Sequence, residues 1–187
     1  MTAACNQNAI MPLVTPIAVT IEATVASWLC ELAGYNKSTG AKGILLGGGG
    51  STSNLVALAT ALSHYFGPEY RRKGLAYYIA KTGKVPVIIC SKEVHIFVQR
   101  AAGMLGLGID NVITISSDEN HAMRMDLLRE VVDKYHEHHG IVSILATAGT
   151  TSTGGIDNLV EIAKVCQEKN IWFHVDATYG GSTLMSS

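Results

Sequence analysis

Two hydrophobic patterns alternate along this chain, and that alternation restricts its fold more than any other feature. Apolar runs occur at GILLG (43–47), VPVIIC (85–90), NVITIS (111–116), IVSILATA (141–148) and IWFHVDA (171–177). Most are rich in β-branched residues and show little polar alternation, as strands covered on both faces do. Between them, apolar residues recur at helical spacing. Leu55, Leu58, Leu62 and Phe66 mark one stripe. The spacing predicts helices over 53–66, 92–106, 122–139 and 156–170, and another over 17–33 ahead of the first strand. Strand and helix in alternation predict an α/β fold with a mostly parallel sheet. Residues 67–84 read as an exposed connection with some short structure of their own.

Composition narrows the function. Of 187 residues, 48% are hydrophobic and 16% charged, which suits one domain, or a large part of one, with a real core. The net charge is −1 and no basic stripe stands out, which argues against nucleic acid or an anionic membrane as the main partner. Cys5, Cys30, Cys90 and Cys166 are scattered, without a CxxC pair, and read as reduced thiols of a cytoplasmic protein. No apolar run reaches membrane-spanning length, and no signal peptide is read at the N-terminus.

In a parallel sheet, ligands sit beyond the carboxyl ends of the strands. Four of the predicted strand ends carry small, polar or ionisable residues: GGGGSTSN (47–54), SKEVH (91–95), TAGTTSTGG (147–155) and DATYGG (176–181). The glycine run opening a helix suits a phosphate cradle, with free N–H groups and the hydroxyls of Ser51, Thr52 and Ser53 as donors. A tight strand-to-helix turn with a serine cap fits those residues equally well. The run is neither GxGxxG, since Thr52 stands where glycine is needed, nor a P-loop, since no GK[ST] follows. His95 is expected in the first turn of a helix, able to stack on a ring or move a proton, or simply to lie on the helix surface. His136, His138 and His139 close a charged amphipathic helix and read as its solvated end rather than a metal site. Asp176 is an acid inside an apolar strand, so a cation or hydrogen-bond donors should meet it. His174 shares its face of the strand, as a satisfied core histidine or as a partner to the acid.

The combination of GGSTSNL (49–55), His95, Gly149-Thr150-Thr151 and FHVDATYGG (173–181) resembles the pyridoxal-phosphate-dependent decarboxylases acting on glutamate, aromatic amino acids, histidine and diaminobutyrate. The segment EATVASWLCELAGY (22–35) is similar to the family's stretch ahead of its phosphate loop. The resemblance implies the large domain of a fold-type I pyridoxal-phosphate enzyme over residues 1–187, incomplete, and homodimeric in the complete protein. It implies an amino acid as substrate and no metal. It further implies that Gly50, Ser51 and Thr52 hold the cofactor's phosphate and that His95 stacks on its ring. Thr151 would contact the cofactor, Asp176 would pair with the ring nitrogen, and Ala177 would lie under the ring. Two departures stand out. Thr178 occupies the place of the family's second alanine. The family's Schiff-base lysine, in an HK motif beyond HVDAA, has no counterpart, because the last lysine here is Lys169. The N-terminal arm, the lysine segment and the C-terminal small domain are therefore expected to be absent, and the chain alone inactive. Another fold-type I enzyme, such as an aminotransferase or desulfurase, and a truncated non-catalytic cofactor-binding or interaction protein are the alternatives.

Overall fold

The computed structural model describes residues 11–35, 38, 40–138 and 140–186. The chain divides into two compact units, Gly48–Gly181 and the residues before and after it. In the smaller unit, helix α1 (Pro16–Leu32) starts with proline at its first turn, where a missing N–H costs nothing. Gly43 packs on it so closely that a methyl group there would come 2.8 Å from the Ala26 carbonyl oxygen. The strand predicted over 43–47 does not form. Its residues join no sheet among the described residues, and Ile44 is 70% exposed. Without a neighbouring ladder, a short apolar run alone does not make a strand.

The larger unit contains helices α2 (Gly49–Phe66) and α3 (Tyr70–Thr82), then strand β1 (Pro86–Ser91) and helix α4 (Phe97–Met104). Strand β2 (Val112–Ile115), helix α5 (Met125–His138), strand β3 (Gly140–Thr147), helix α6 (Leu159–Lys169) and strand β4 (Trp172–Asp176) follow. The four strands are parallel in the order β2-β1-β3-β4. The connection expected over 67–84 is mostly helical, but α3 breaks at Gly74, where φ is +71°, and buries none of its residues. The predicted helix over 92–106 is shorter, because residues 92–96 are used in turns. The Lys92 N–H extends the sheet ladder to the Ile115 carbonyl, and the Val94 N–H turns back to Ser91.

Side-chain alternation divides the core into two layers. On one face Ile88, Cys90, Val142 and Leu145 pack with Leu58 and Leu62 of α2 and Val98 and Ala101 of α4. On the other, Val87, Ile89, Ile144 and Ala146 pack with Leu128 and Val132 of α5 and Ile162 and Val165 of α6. Strand β3 changes its alternation midway: Ile141 and Val142 are followed by Ser143, and the register with β1 shifts there. Cys90 and Cys166 lie in opposite layers, and burial pushes each thiol up to about 12. They are inert packing groups, not a disulfide pair. Cys5 lies outside the described residues. Among those residues, no helix is long and apolar enough to cross a membrane.

The carboxyl end of the sheet is pinned by Asp157, a buried acid just ahead of α6. It accepts the Met123 N–H at 2.6 Å and the Thr147 N–H at 2.8 Å. Burial pushes its carboxyl up, partly opposed by these two bonds. Replacing Asp157 by alanine orphans both buried donors. Urea unfolding should show a loss of about 2–4 kcal/mol. A loss below about 0.5 kcal/mol would mean that the clamp is dispensable.

Candidate functional site

A cleft of about 180 Å³ lies at the carboxyl end of the strands, lined by Gly50, Ser51, Asn54, His95, Thr147, Gly149, Thr151, Asp176, Thr178 and Tyr179. Sheet register brings two of these together, since Thr147, the last residue of β3, stands opposite Asp176, the last of β4. Gly149 adopts φ +88° as the chain turns away, a conformation that glycine adopts freely.

Helix α2 contributes the cleft's polar wall. Its cap, Gly48, has φ +97°, and no acidic residue occupies the first turn. The unpaired N–H groups of that turn, with the Ser51 hydroxyl, form a ready anion site. Thr52 does not line the cleft. Its side chain turns back onto Gly48, where a methyl group would collide with it. Asn54 is buried one helical turn beyond Gly50, in line with Leu58, Ala61 and Leu62. It thus occupies an apolar-stripe position with a polar amide.

That amide answers the question posed by Asp176, which is only 7% exposed. Asn54 Nδ2 donates to Asp176 Oδ2 at 2.9 Å. The Thr178 N–H and hydroxyl both donate to Oδ1, at 3.1 and 2.7 Å. Asn54 Oδ1 in turn accepts from His174 Nε2 at 2.7 Å. His174 therefore reaches the acid through Asn54, and carries its proton on Nε2 to do so. Burial lowers the affinity of His174 for a second proton, although Asp176 opposes this. For Asp176, burial pushes the carboxyl up. The Thr178 hydroxyl, the Thr178 and Asn54 N–H groups and His174 outweigh it and hold the acid below its ordinary range.

His95 lies in the turn after β1, not in the helix. Its Nδ1 accepts the Phe97 N–H at 3.3 Å and the ring is exposed along the cleft. Thr151 lines the cleft as well. Ala177 does not, whereas Thr178, in the turn just beyond β4, does. Of the seven residues expected from sequence, Gly50, Ser51, His95, Thr151 and Asp176 converge, and Thr52 and Ala177 fall outside. His136 is exposed, and the side chains of residues 138 and 139 lie outside the described residues. Asn54 and Thr147 were missed. An amide on an apolar helix stripe was the available signal for the first, whereas the second depends on sheet register.

The site accommodates a phosphorylated heteroaromatic ring. An ionised carboxylate has about four acceptor positions, and among the described residues three of those on Asp176 are filled, leaving one on Oδ2. Among the described residues, the buried Thr147 hydroxyl at the cleft has no hydrogen-bond partner. The space above Gly50 leaves no room for a methyl group beside Thr178.

Fold and site together define an α/β domain whose strand ends carry a glycine- and serine-rich helix start and a buried carboxylate. The chain belongs to the pyridoxal-dependent decarboxylase family, whose conserved domain matches residues 1–187. It is 34% identical over 188 residues to acidic amino acid decarboxylase GADL1 of Homo sapiens, covering 100% of this chain and 34% of the relative. The Xenopus tropicalis protein of the same name is 31% identical over 187 residues, with 100% and 35% covered. The structure of mouse CSAD in apo form superposes with a TM-score of 0.87 at 33% identity, over 99% of this chain and 37% of that one. The glutamate decarboxylase domain of a diaminobutyrate-pyruvate transaminase and L-2,4-diaminobutyrate decarboxylase from Vibrio parahaemolyticus gives 0.85 at 32%, over 99% and 40%. The chain spans about a third of the length of the curated relatives it matches. The family's cofactor is pyridoxal phosphate.

The hydrogen bonds to Asp176 have a pH consequence. An acid held below its unfolded value stabilises the fold above about pH 4, and that contribution is lost as pH falls through the lowered native value. Asp176→Asn should flatten this acid limb of the stability curve, measured by urea unfolding across the acid range. An unchanged limb would show that Asp176 is not held ionised by its neighbours.

Proposed function

We propose that the whole protein is a pyridoxal-phosphate-dependent amino-acid decarboxylase and that residues 1–187 belong to its cofactor-binding domain. The observation that carries this reading is the buried Asp176 carboxylate, ionised, with one acceptor position left at a cleft that also receives the start of α2. When bound, pyridoxal phosphate supplies an electron sink for the charge left on an amino acid's α-carbon as carbon dioxide departs. Asp176 holds a proton at the ring nitrogen, and its burial is then compensated by an opposite charge. The N–H groups of the first turn of α2, with Gly50 and Ser51, take the phosphate. His95, exposed along the cleft, would stack on the ring face, and Thr151 would contact the cofactor or its ring substituents. Family membership supports an amino acid as the substrate; the whole protein is read as a homodimer, its assembly to be measured by sedimentation of the full-length protein, and the scattered cysteines support a cytoplasmic location.

Among the described residues no lysine lines the cleft, and Lys92, the lysine nearest a strand end in sequence, pairs with Glu93 at 3.9 Å. The 187-residue chain should therefore bind pyridoxal phosphate without a single lysine adduct. Borohydride reduction followed by mass spectrometry should give scattered, substoichiometric modification. One stoichiometric adduct accompanied by carbon dioxide release from an amino acid would contradict this.

The phosphate assignment is tested by Ser51→Glu, which sets a negative charge in the cradle. Affinity for pyridoxal phosphate, followed by fluorescence, should fall by about tenfold or more, with the fold retained by circular dichroism. Unchanged affinity would move the phosphate elsewhere.

A further inference from the structure

Thr178 contributes chemistry that the cofactor reading leaves unused. It is exposed at the cleft, yet its hydroxyl and amide both donate to Asp176 Oδ1. Its side chain also presses on Gly50, where an added methyl group would collide with its hydroxyl and γ-carbon. Thr178 therefore ties the acid at the end of β4 to the first turn of α2. Alanine at this position would keep the amide bond and lose the hydroxyl bond. Each donor to a carboxylate favours its charged form.

Few other charges compete. His174 reaches Asp176 from β4 through Asn54 of α2. His95, after β1, and Tyr179, after β4, are the remaining titratable groups that line the cleft. The turn after β3 contributes Thr147, Gly149 and Thr151, which are uncharged.

We propose that Thr178 is a positioning residue that sets the proton affinity of Asp176, and through it the strength with which the acid keeps a proton on the cofactor's ring nitrogen. The second clause rests on the cofactor reading, whereas the first stands on the geometry alone. The hydroxyl holds the carboxylate in the charged form and lowers its basicity. A threonine here thus weakens the hold on the ring proton relative to alanine, which makes this site a less forceful electron sink. The balance at Asp176 agrees, since the Thr178 hydroxyl is the largest influence opposing burial.

The test compares the unaltered chain with Thr178→Val, which keeps the shape without the hydroxyl, and Thr178→Ser, which keeps the hydroxyl. The Asp176 carboxyl is titrated by carbon NMR on protein labelled at aspartate. The midpoint should move upward in the valine variant and return to the unaltered value in the serine variant. An unmoved midpoint in the valine variant, or the same rise in both, would overturn the proposal. A second arm adds pyridoxine 5′-phosphate, which has no aldehyde to react with lysines, and follows ring protonation by absorbance. The ring should stay protonated to higher pH in the valine variant. An unchanged ring titration would overturn the link to the cofactor. Failure of pyridoxine 5′-phosphate to bind any variant would overturn the cofactor reading, while the Asp176 midpoints still decide the role of Thr178.

Discussion

The ionised carboxylate of Asp176, buried at the end of a strand and held by three donors, is the constraint on which the rest of the site depends. Removing a charge from water costs several kcal/mol unless partners replace the lost hydration. Here the replacement is polar and directional. Thr178 comes from the chain just beyond the strand, and Asn54 comes from a helix 122 positions away. Asn54 is oriented in turn by His174, which keeps its amide nitrogen toward the acid. The result is an acid kept charged inside the fold with one acceptor position unspent.

The scaffold makes this arrangement possible by register. Parallel strands end together, so Thr147 and Asp176 stand side by side, and the turns that follow bring Gly149, Thr151 and Thr178 around one cleft. Two layers of apolar side chains fix the strands from both faces. Asp157 locks the end of β3 through backbone N–H groups rather than through a charge partner. The two buried acids thus serve opposite ends. One is raised by burial and is structural, and the other is lowered by its donors and faces the cleft.

Most of this architecture was legible in the sequence. Four of the five predicted strands form, because each has a neighbour on the ladder; β1 and β3 are buried throughout, and the edge strands β2 and β4 only in part. The fifth, at 43–47, has the composition without the neighbour and remains exposed chain. His95 was displaced from helix to turn because the chain after β1 spends five residues in turns before α4 begins. Ala177, expected under the ring, does not line the cleft, whereas the next residue, Thr178, does. Thr147 could not be found by inspection, because only the pairing of β3 with β4 sets it beside Asp176.

The account rests on Asp176 pairing with a protonated ring nitrogen. The most direct measurement is the nitrogen NMR shift of ring-labelled pyridoxine 5′-phosphate bound to this chain, compared with the Asp176→Asn variant. The account predicts a protonated ring nitrogen in the unaltered chain, at a pH where the free compound has lost that proton, and a deprotonated one in the variant. A deprotonated nitrogen in both proteins, or a protonated one in both, would contradict it.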